Sequence, residues 1–188
     1  ITTKSSVVNA QSAQEVNAHV KDAILAEDWT KVASLLSTVD TQTTSSVHRL
    51  IKGHACLALN QNNESLCLFL SASAEDELKI WLEWAQQFAN DKKTAVSYYF
   101  KGDALARLGQ WDSAITEFTN ALAIKTLHYL TLNARGVAYA KMGQLGTARQ
   151  DFDNAVTANR SFADAHANLG ARFIQMKDGI DGAQKAFE

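Results

Sequence analysis

The side chains that could do chemistry are few and badly spaced for it. His54 and Cys56 lie two positions apart, and Cys67 follows eleven further on. A metal centre needs three or four converging ligands. A Cys-His nucleophile pair needs both groups on one side of a helix, yet a two-residue step turns them about 200° apart at 3.6 residues per turn. Cys56 instead sits where a packing residue belongs, and Cys67 falls on another face of the next helix, so both cysteines read as structural. The acidic run Glu75-Asp76-Glu77 suits the positive end of a helix dipole better than an acid-base pair. Glycines are spread one or two per repeat, which is a packing and turn pattern and not a phosphate loop. Four tryptophans, Trp29, Trp81, Trp84 and Trp111, read as core or inter-helix packing. The expectation is therefore no catalytic residue, no metal and no cofactor.

The whole-chain properties narrow the class further. Eighteen Lys plus Arg against twenty Asp plus Glu leave a net charge of -2, which disfavours a general nucleic-acid binder. With 46% hydrophobic residues the chain can bury a core. There is no proline among 188 residues, where average usage would place about nine. Long stretches without a helix breaker point to an all-α protein. No run of about 18 apolar residues is present to span a membrane, and no signal peptide is visible. The two cysteines do not settle a compartment, and the cytoplasm is the default expectation. The start at Ile1 and the end at Glu188, inside an expected helix, suggest a piece of a longer chain.

Self-similarity is the main signal. Residues 95–128 and 129–162 align without a gap at a 34-residue spacing: Gly102 with Gly136, Gly109 with Gly143, Ala114 with Ala148, Phe118 with Phe152, Ala121 with Ala155. Small and large residues three and four apart interlock antiparallel helices. Gly109 and Gly143 fall where the first helix must end, a place for a left-handed residue, and Asp112 is positioned to cap the second helix. A third copy starts at Ala163 and needs one extra residue near Lys177-Asp178-Gly179 to align Ala183 and Phe187. Residues 46–79 form a weaker copy, with Gly53, Cys56, Ser65, Phe69 and Ala72 at the equivalent places. Residues 12–39 read as a further hairpin, with Ser12 and Glu15 as a capping box and Trp29 matching Trp111. Between Gly53 and Gly102 the interval is 49 residues. The excess carries an apolar face, Leu78, Trp81, Leu82, Ala85, Phe88 and Ala89, at helical spacing. It is either an inserted helix or a continuation of the preceding one. The resulting plan is a polar arm over 1–11, degenerate hairpins over 12–74, an inserted helix over 75–94, repeats over 95–128 and 129–162, and a repeat over 163–188 cut in its second helix.

This order of Gly, aromatic or Leu, Gly turn, Ala, Phe and Ala at a 34-residue period resembles the tetratricopeptide repeat family. The family's proline at the end of the second helix is replaced by Thr126 and Arg160. The resemblance implies a right-handed superhelical solenoid of antiparallel helix hairpins, whose concave face binds a peptide or partner protein. Carried over by repeat position, the groove residues are Val96, Tyr99, Asp103, Ala106 and Arg107, then Leu130, Asn133, Val137, Ala140 and Lys141, then Asp164, Ala167, Ala171, Ile174 and Gln175, with Leu50, His54 and Leu57 from the weaker copy. Tyr99 is expected as an amphipathic anchor and Asn133 as a donor and acceptor for a peptide backbone. Arg107 and Lys141 give a positive edge, offset by Asp103 and Asp164. Co-chaperones of this family hold the C-terminal carboxylate of a heat-shock protein with Lys and Asn, then Asn, then Lys and Arg. The matching positions here are Tyr99, Asp103, Ala134, Asp164 and Asn168, so that clamp is missing.

The leading expectation is a non-enzymatic interaction scaffold, and the alternative is a regulatory or assembly domain of a larger enzyme or secretion apparatus. The uncapped C-terminal hairpin is also expected to self-associate, since terminal repeats need a polar cap.

Overall fold

The computed structural model describes residue 16 and residues 18–37 and 45–171. Among these, all regular structure is helical. The helices run α1 (Ala18–Leu25), α2 (Trp29–Leu35), α3 (Ser46–Ala58), α4 (Asn62–Ser71), α5 (Glu75–Asp91), α6 (Ala95–Arg107), α7 (Trp111–Ile124), α8 (Tyr129–Lys141) and α9 (Leu145–Ala158), followed by a helical stretch over 163–171. The capping box expected from Ser12 and Glu15, the insertion near Lys177, Ile174 and Gln175 lie outside the described residues, as does the C-terminal face expected to self-associate.

One turn recurs in every described hairpin. Gly109 and Gly143 adopt φ of +75° and +78°, and Glu27 and Asn60 adopt 52° and 58° at the equivalent places. In each, the next N–H reaches five residues back: Gln110 to the Leu105 carbonyl at 2.9 Å, Gln144 to Tyr139 at 2.9 Å, Gln61 to Cys56 at 2.8 Å and Asp28 to Ala23 at 3.0 Å. A left-handed residue followed by this bond is how a helix closes its orphan carbonyls. The second helix then starts at once, with Gln110 in the N-cap position of α7. Asp112 is therefore not the cap. It lies in the first turn, where its carboxylate faces the helix dipole. Asp28 is the residue that caps this turn by side chain, accepting from Lys31 N at 3.0 Å. At α6 the entry is fixed by a capping box between Thr94 and Ser97.

The α3–α4, α6–α7 and α8–α9 hairpins are each locked by glycine against phenylalanine. A Cβ placed on Gly53, Gly102 or Gly136 would lie 2.6, 2.5 or 2.6 Å from a ring carbon of Phe69, Phe118 or Phe152. Absence of a side chain is what lets the paired helix close to that distance. Ala114, Ala148, Ala72, Ala121 and Ala155 are fully buried beside these contacts.

The long stretch between the weaker copy and the clear repeats forms a separate helix, since α4 ends at Ser71 and α5 starts at Glu75. Helix α5 packs on α6 much as α7 packs on α8, and also touches α3. Arg49 of α3 ties this seam, donating to the Ser71 carbonyl at 2.8 Å and pairing with Glu77 at the start of α5. Trp81, Trp84 and Phe88 stack along α5, with ring centroids 5.2 and 5.0 Å apart, against Phe100 of α6. Trp29 meets the other side of Phe100 edge-on. No described helix is long and apolar enough to cross a membrane.

Candidate functional site

The side of α6 and α8 that carries the expected groove positions is not an open trough. Helix α3 lies against its floor, and the contact is built on one carboxylate. Asp103 Oδ2 accepts three bonds: from Arg107 Nε at 2.8 Å, from Trp81 Nε1 at 3.0 Å and from His54 Nε2 at 3.0 Å. A carboxylate can only accept, so Nε2 carries the proton toward Asp103. Nδ1 of His54 then accepts from the Tyr99 hydroxyl at 2.9 Å. Three helices, α3, α5 and α6, meet at this row. Burial pushes the Asp103 carboxyl up, but Arg107 and His54 together outweigh it and hold the group well below the ordinary carboxylate range. Burial, and then the charge of Asp103, raise the Tyr99 phenol well above its ordinary value. The guanidinium of Arg107 also covers the Phe69 ring, 4.0 Å from its centroid.

Two expectations change here. Tyr99 is 2% exposed, so it is no anchor waiting for a partner, and its hydroxyl is already committed to His54. Asp103 is not an open charge on the groove edge, because its side chain is 13% exposed and fully partnered. Val96 and Leu50, which share the expected groove positions, are buried in the core. The missing information was the seating of the inserted helix α5, which brings Trp81 onto Asp103.

A cavity of about 250 Å³ remains above this floor. It is walled by Leu57 of α3, by Ala106, Arg107 and Asp103 of α6, and by Leu130, Asn133, Ala134 and Val137 of α8, with Tyr99 and His54 beneath. Trp111 and Phe118 line it from α7. A second cavity of about 270 Å³ shares Val137 and adds Ala140, Lys141, Phe152 and Asn168. The structure thus gathers Tyr99, Asp103, Arg107, Leu130, Asn133 and Val137 around one space and sets Lys141 at the next. Asn133 is engaged within the fold, accepting at Oδ1 from Asn168 Nδ2 at 2.9 Å. Asp164 is half-buried. Burial raises its carboxyl, partly offset by a hydrogen bond from Asn62. Ala167 and Ala171 are exposed.

Among the described residues no three His, Cys, Asp or Glu side chains group as a metal set. Cys56 is buried and its thiol is pushed up to about 11, first by burial and then by Glu64, which leaves little thiolate near neutrality. Cys67 is exposed. The Tyr-His-Asp row has no exposed nucleophile in it. It fixes helix positions.

Next to Tyr99, His128 is fully buried and meets the phenol ring edge-on. Its Nδ1 bonds the Thr131 hydroxyl, and Nε2 lies 3.6 Å from Glu27. Burial drives its pKa to about 4, partly offset by Glu27. The folded value is below the ordinary 6.5. The unfolded chain therefore binds the extra proton first, and stability is lost as pH falls from the ordinary value toward the folded one. The linkage relation gives a loss on the order of 2 kcal/mol between about pH 7 and pH 5. Urea midpoints measured at both pH values should show this loss for the native chain and a much flatter dependence for His128→Gln. Equal slopes for the two proteins would remove His128 as the source.

The stacked hairpins and the glycine-phenylalanine locks define a helical-repeat solenoid. Residues 130–162 match the family model of the tetratricopeptide repeat. The chain thus carries a tetratricopeptide repeat over that segment, within a helical-repeat fold. RNA polymerase II-associated protein 3 of Xenopus laevis is 26% identical over 98 residues, covering 52% of this chain and 15% of that protein. The Xenopus tropicalis protein matches to the same extent. The chain thus spans well under two thirds of the length of these relatives. The solved first tetratricopeptide domain of human RPAP3 is similar in fold, with a TM-score of 0.51 at 13% identity, covering 73% of this chain and 96% of that one. The first such domain of Spaghetti (RPAP3), solved with the HSP90 peptide SRMEEVD, gives a TM-score of 0.49 at 15% identity over 74% and 97% of the two chains.

Proposed function

We propose that the chain is a protein-interaction scaffold without catalytic activity of its own, and that it docks a segment of a partner protein at the seam of α6 and α8. The observation that supports this most is the cavity of about 250 Å³ with apolar walls from Leu57, Ala106, Leu130 and Val137. Its size suits one bulky apolar side chain, and its walls stand on packed helices that need no reordering on binding. The second cavity, reached past Val137 and ending at Lys141, extends the track along the C-terminal ends of these helices.

The test is capture from lysate of the source cells with the native chain beside Val137→Trp, which fills the seam from a half-buried position. Helicity is checked on both proteins. A protein held by the native chain and lost by the variant supports docking at the seam. Retention by the variant sends the site to another face.

The occupant is not expected to be an acidic C-terminal tail. Asp164 sits where that carboxylate clamp needs a cation, and Asp103 holds Arg107 beside it. Titration with SRMEEVD should show no saturation below about 1 mM, which corresponds to roughly 4 kcal/mol of binding free energy. Micromolar binding would reverse this part of the reading. The alternative, a regulatory or assembly domain within a larger machine, is favoured by one fact. The aligned stretch is only 15% of its relatives' length.

A further inference from the structure

One carboxylate oxygen in the seam has no partner. Asp103 Oδ2 collects all three donors, Arg107 Nε, Trp81 Nε1 and His54 Nε2. Asp103 Oδ1 accepts from no described residue, and the side chain keeps 13% of its surface exposed. Asp103 lines the seam cavity. From α8, Asn133 lines it too. Its Oδ1 is taken by Asn168, while its Nδ2 donates to no described residue. Neither atom is sealed from solvent. The cavity thus offers an acceptor from α6 and a donor from α8, among the apolar walls of Leu57, Ala106, Leu130 and Val137.

Charge restricts what enters. Arg107 pairs with Asp103 and lines the same space, so the two are neutral together. An incoming cation meets the guanidinium and an incoming anion meets the carboxylate, and either gives up its water for little return. Asp164 stands outside the lining and is bonded by Asn62. It lies beside the α3–α4 turn, where Asn60 Nδ2 donates to the Ser161 carbonyl at 2.8 Å and Asn60 Oδ1 accepts from Ala163 N at 3.1 Å. An uncharged occupant therefore fits best. A wholly apolar one would strip Asp103 Oδ1 and Asn133 Nδ2 of water and return no bond. A hydroxyl both donates and accepts, whereas an indole N–H only donates. An apolar cavity of about 150 Å³ holds a benzene molecule, so a space of about 250 Å³ has room for a ring with a substituent.

We propose that the seam selects a tyrosine of the partner segment, its ring between the apolar walls and its hydroxyl between Asp103 Oδ1 and Asn133 Nδ2. This rests on reading the seam as the docking site and narrows the occupant to one side chain. Asp103 then uses its two oxygens differently: Oδ2 joins three helices and Oδ1 reads the partner.

The probe is p-cresol, the tyrosine side chain alone. Toluene is the same ring without the hydroxyl, and 4-methylanisole carries it methylated. Amide shifts of Ala106, Asn133 and Val137 follow binding to the full chain. p-Cresol is expected to bind at least about tenfold more tightly than either analogue, the range for a hydrogen bond to a charged group. In Asp103→Asn, with folding checked by the same spectrum, its advantage over 4-methylanisole should vanish, because the amide can keep its oxygen on the three donors and turn its NH2 to the cavity. The native-chain comparison stands whether or not that variant folds. Toluene or 4-methylanisole binding as tightly as p-cresol overturns the tyrosine reading and leaves an apolar docking site. An advantage retained in folded Asp103→Asn overturns Asp103 as the acceptor. No seam shifts with any of the three, or shifts that persist in Val137→Trp, overturn both the tyrosine and docking at the seam.

Discussion

Asp103→Ala is expected to cost about 4 kcal/mol of folding stability, the usual range for breaking a buried pair from one side. Removing the carboxylate leaves Trp81 Nε1, His54 Nε2 and Arg107 Nε without the acceptor they share. Trp81 and His54 do not regain water easily, because both are buried. Arg107 also loses the charge that offsets its own. Asp103→Asn keeps a carbonyl that can accept but not the charge, and its cost should be roughly half. The folded carboxyl is held below its ordinary range, so its contribution is complete above the unfolded value of about 4 and fades as pH falls below it. Urea titration followed by tryptophan fluorescence would measure both variants, at neutral pH and near pH 3. A loss under about 1 kcal/mol at neutral pH would mean that the three donors find other acceptors, and that this row is not what joins the inserted helix to the repeats.

The second large effect is expected at Gly102. A valine there would bring its Cβ to 2.5 and 2.6 Å from two carbons of the Phe118 ring, and Phe118 is itself fully buried. The ring cannot swing away without displacing its neighbours, so α6 and α7 must separate. Overpacking of this kind costs about 3 kcal/mol or more. Gly136 faces Phe152 in the same way, with the Ala148 carbonyl 3.1 Å from the added Cβ, and Gly136→Val should behave alike. Gly146 is the control. It lies exposed in the first turn of α9 with open space around it, and Gly146→Ala should stabilise the chain by about 0.5 to 1 kcal/mol through helix propensity. Melting temperatures of the three variants would decide whether glycine is needed at these positions for close approach or for flexibility.

Neither effect was equally visible beforehand. The Gly102–Phe118 contact follows from spacing, because both residues recur one period later and the physics of interlocked helices is local. The role of Asp103 does not follow from spacing. Its partners come from 49 residues upstream and 22 residues upstream, and one of them stands on a helix that has no counterpart in the repeat. Tyr99 and Asp103, expected as open groove positions, are instead taken up by contacts from α3 and α5. Asn60 could have been found from the alignment, since an asparagine aligned with two turn glycines marks a left-handed residue. What its side chain reaches could not.

What this sequence determined by itself is each hairpin: where helices stop, which glycine meets which phenylalanine, and that the chain repeats. Those features depend on residues within one 34-residue unit, where a few local contacts decide the outcome. Only the tertiary structure decided how the units close on each other. The seating of α5 against α6, the burial of the Tyr99-His54-Asp103 row, and the Asn60 contact with residues 161–163 all join segments far apart in sequence. Such contacts depend on the summed curvature of the stacked hairpins, and no single repeat encodes that sum.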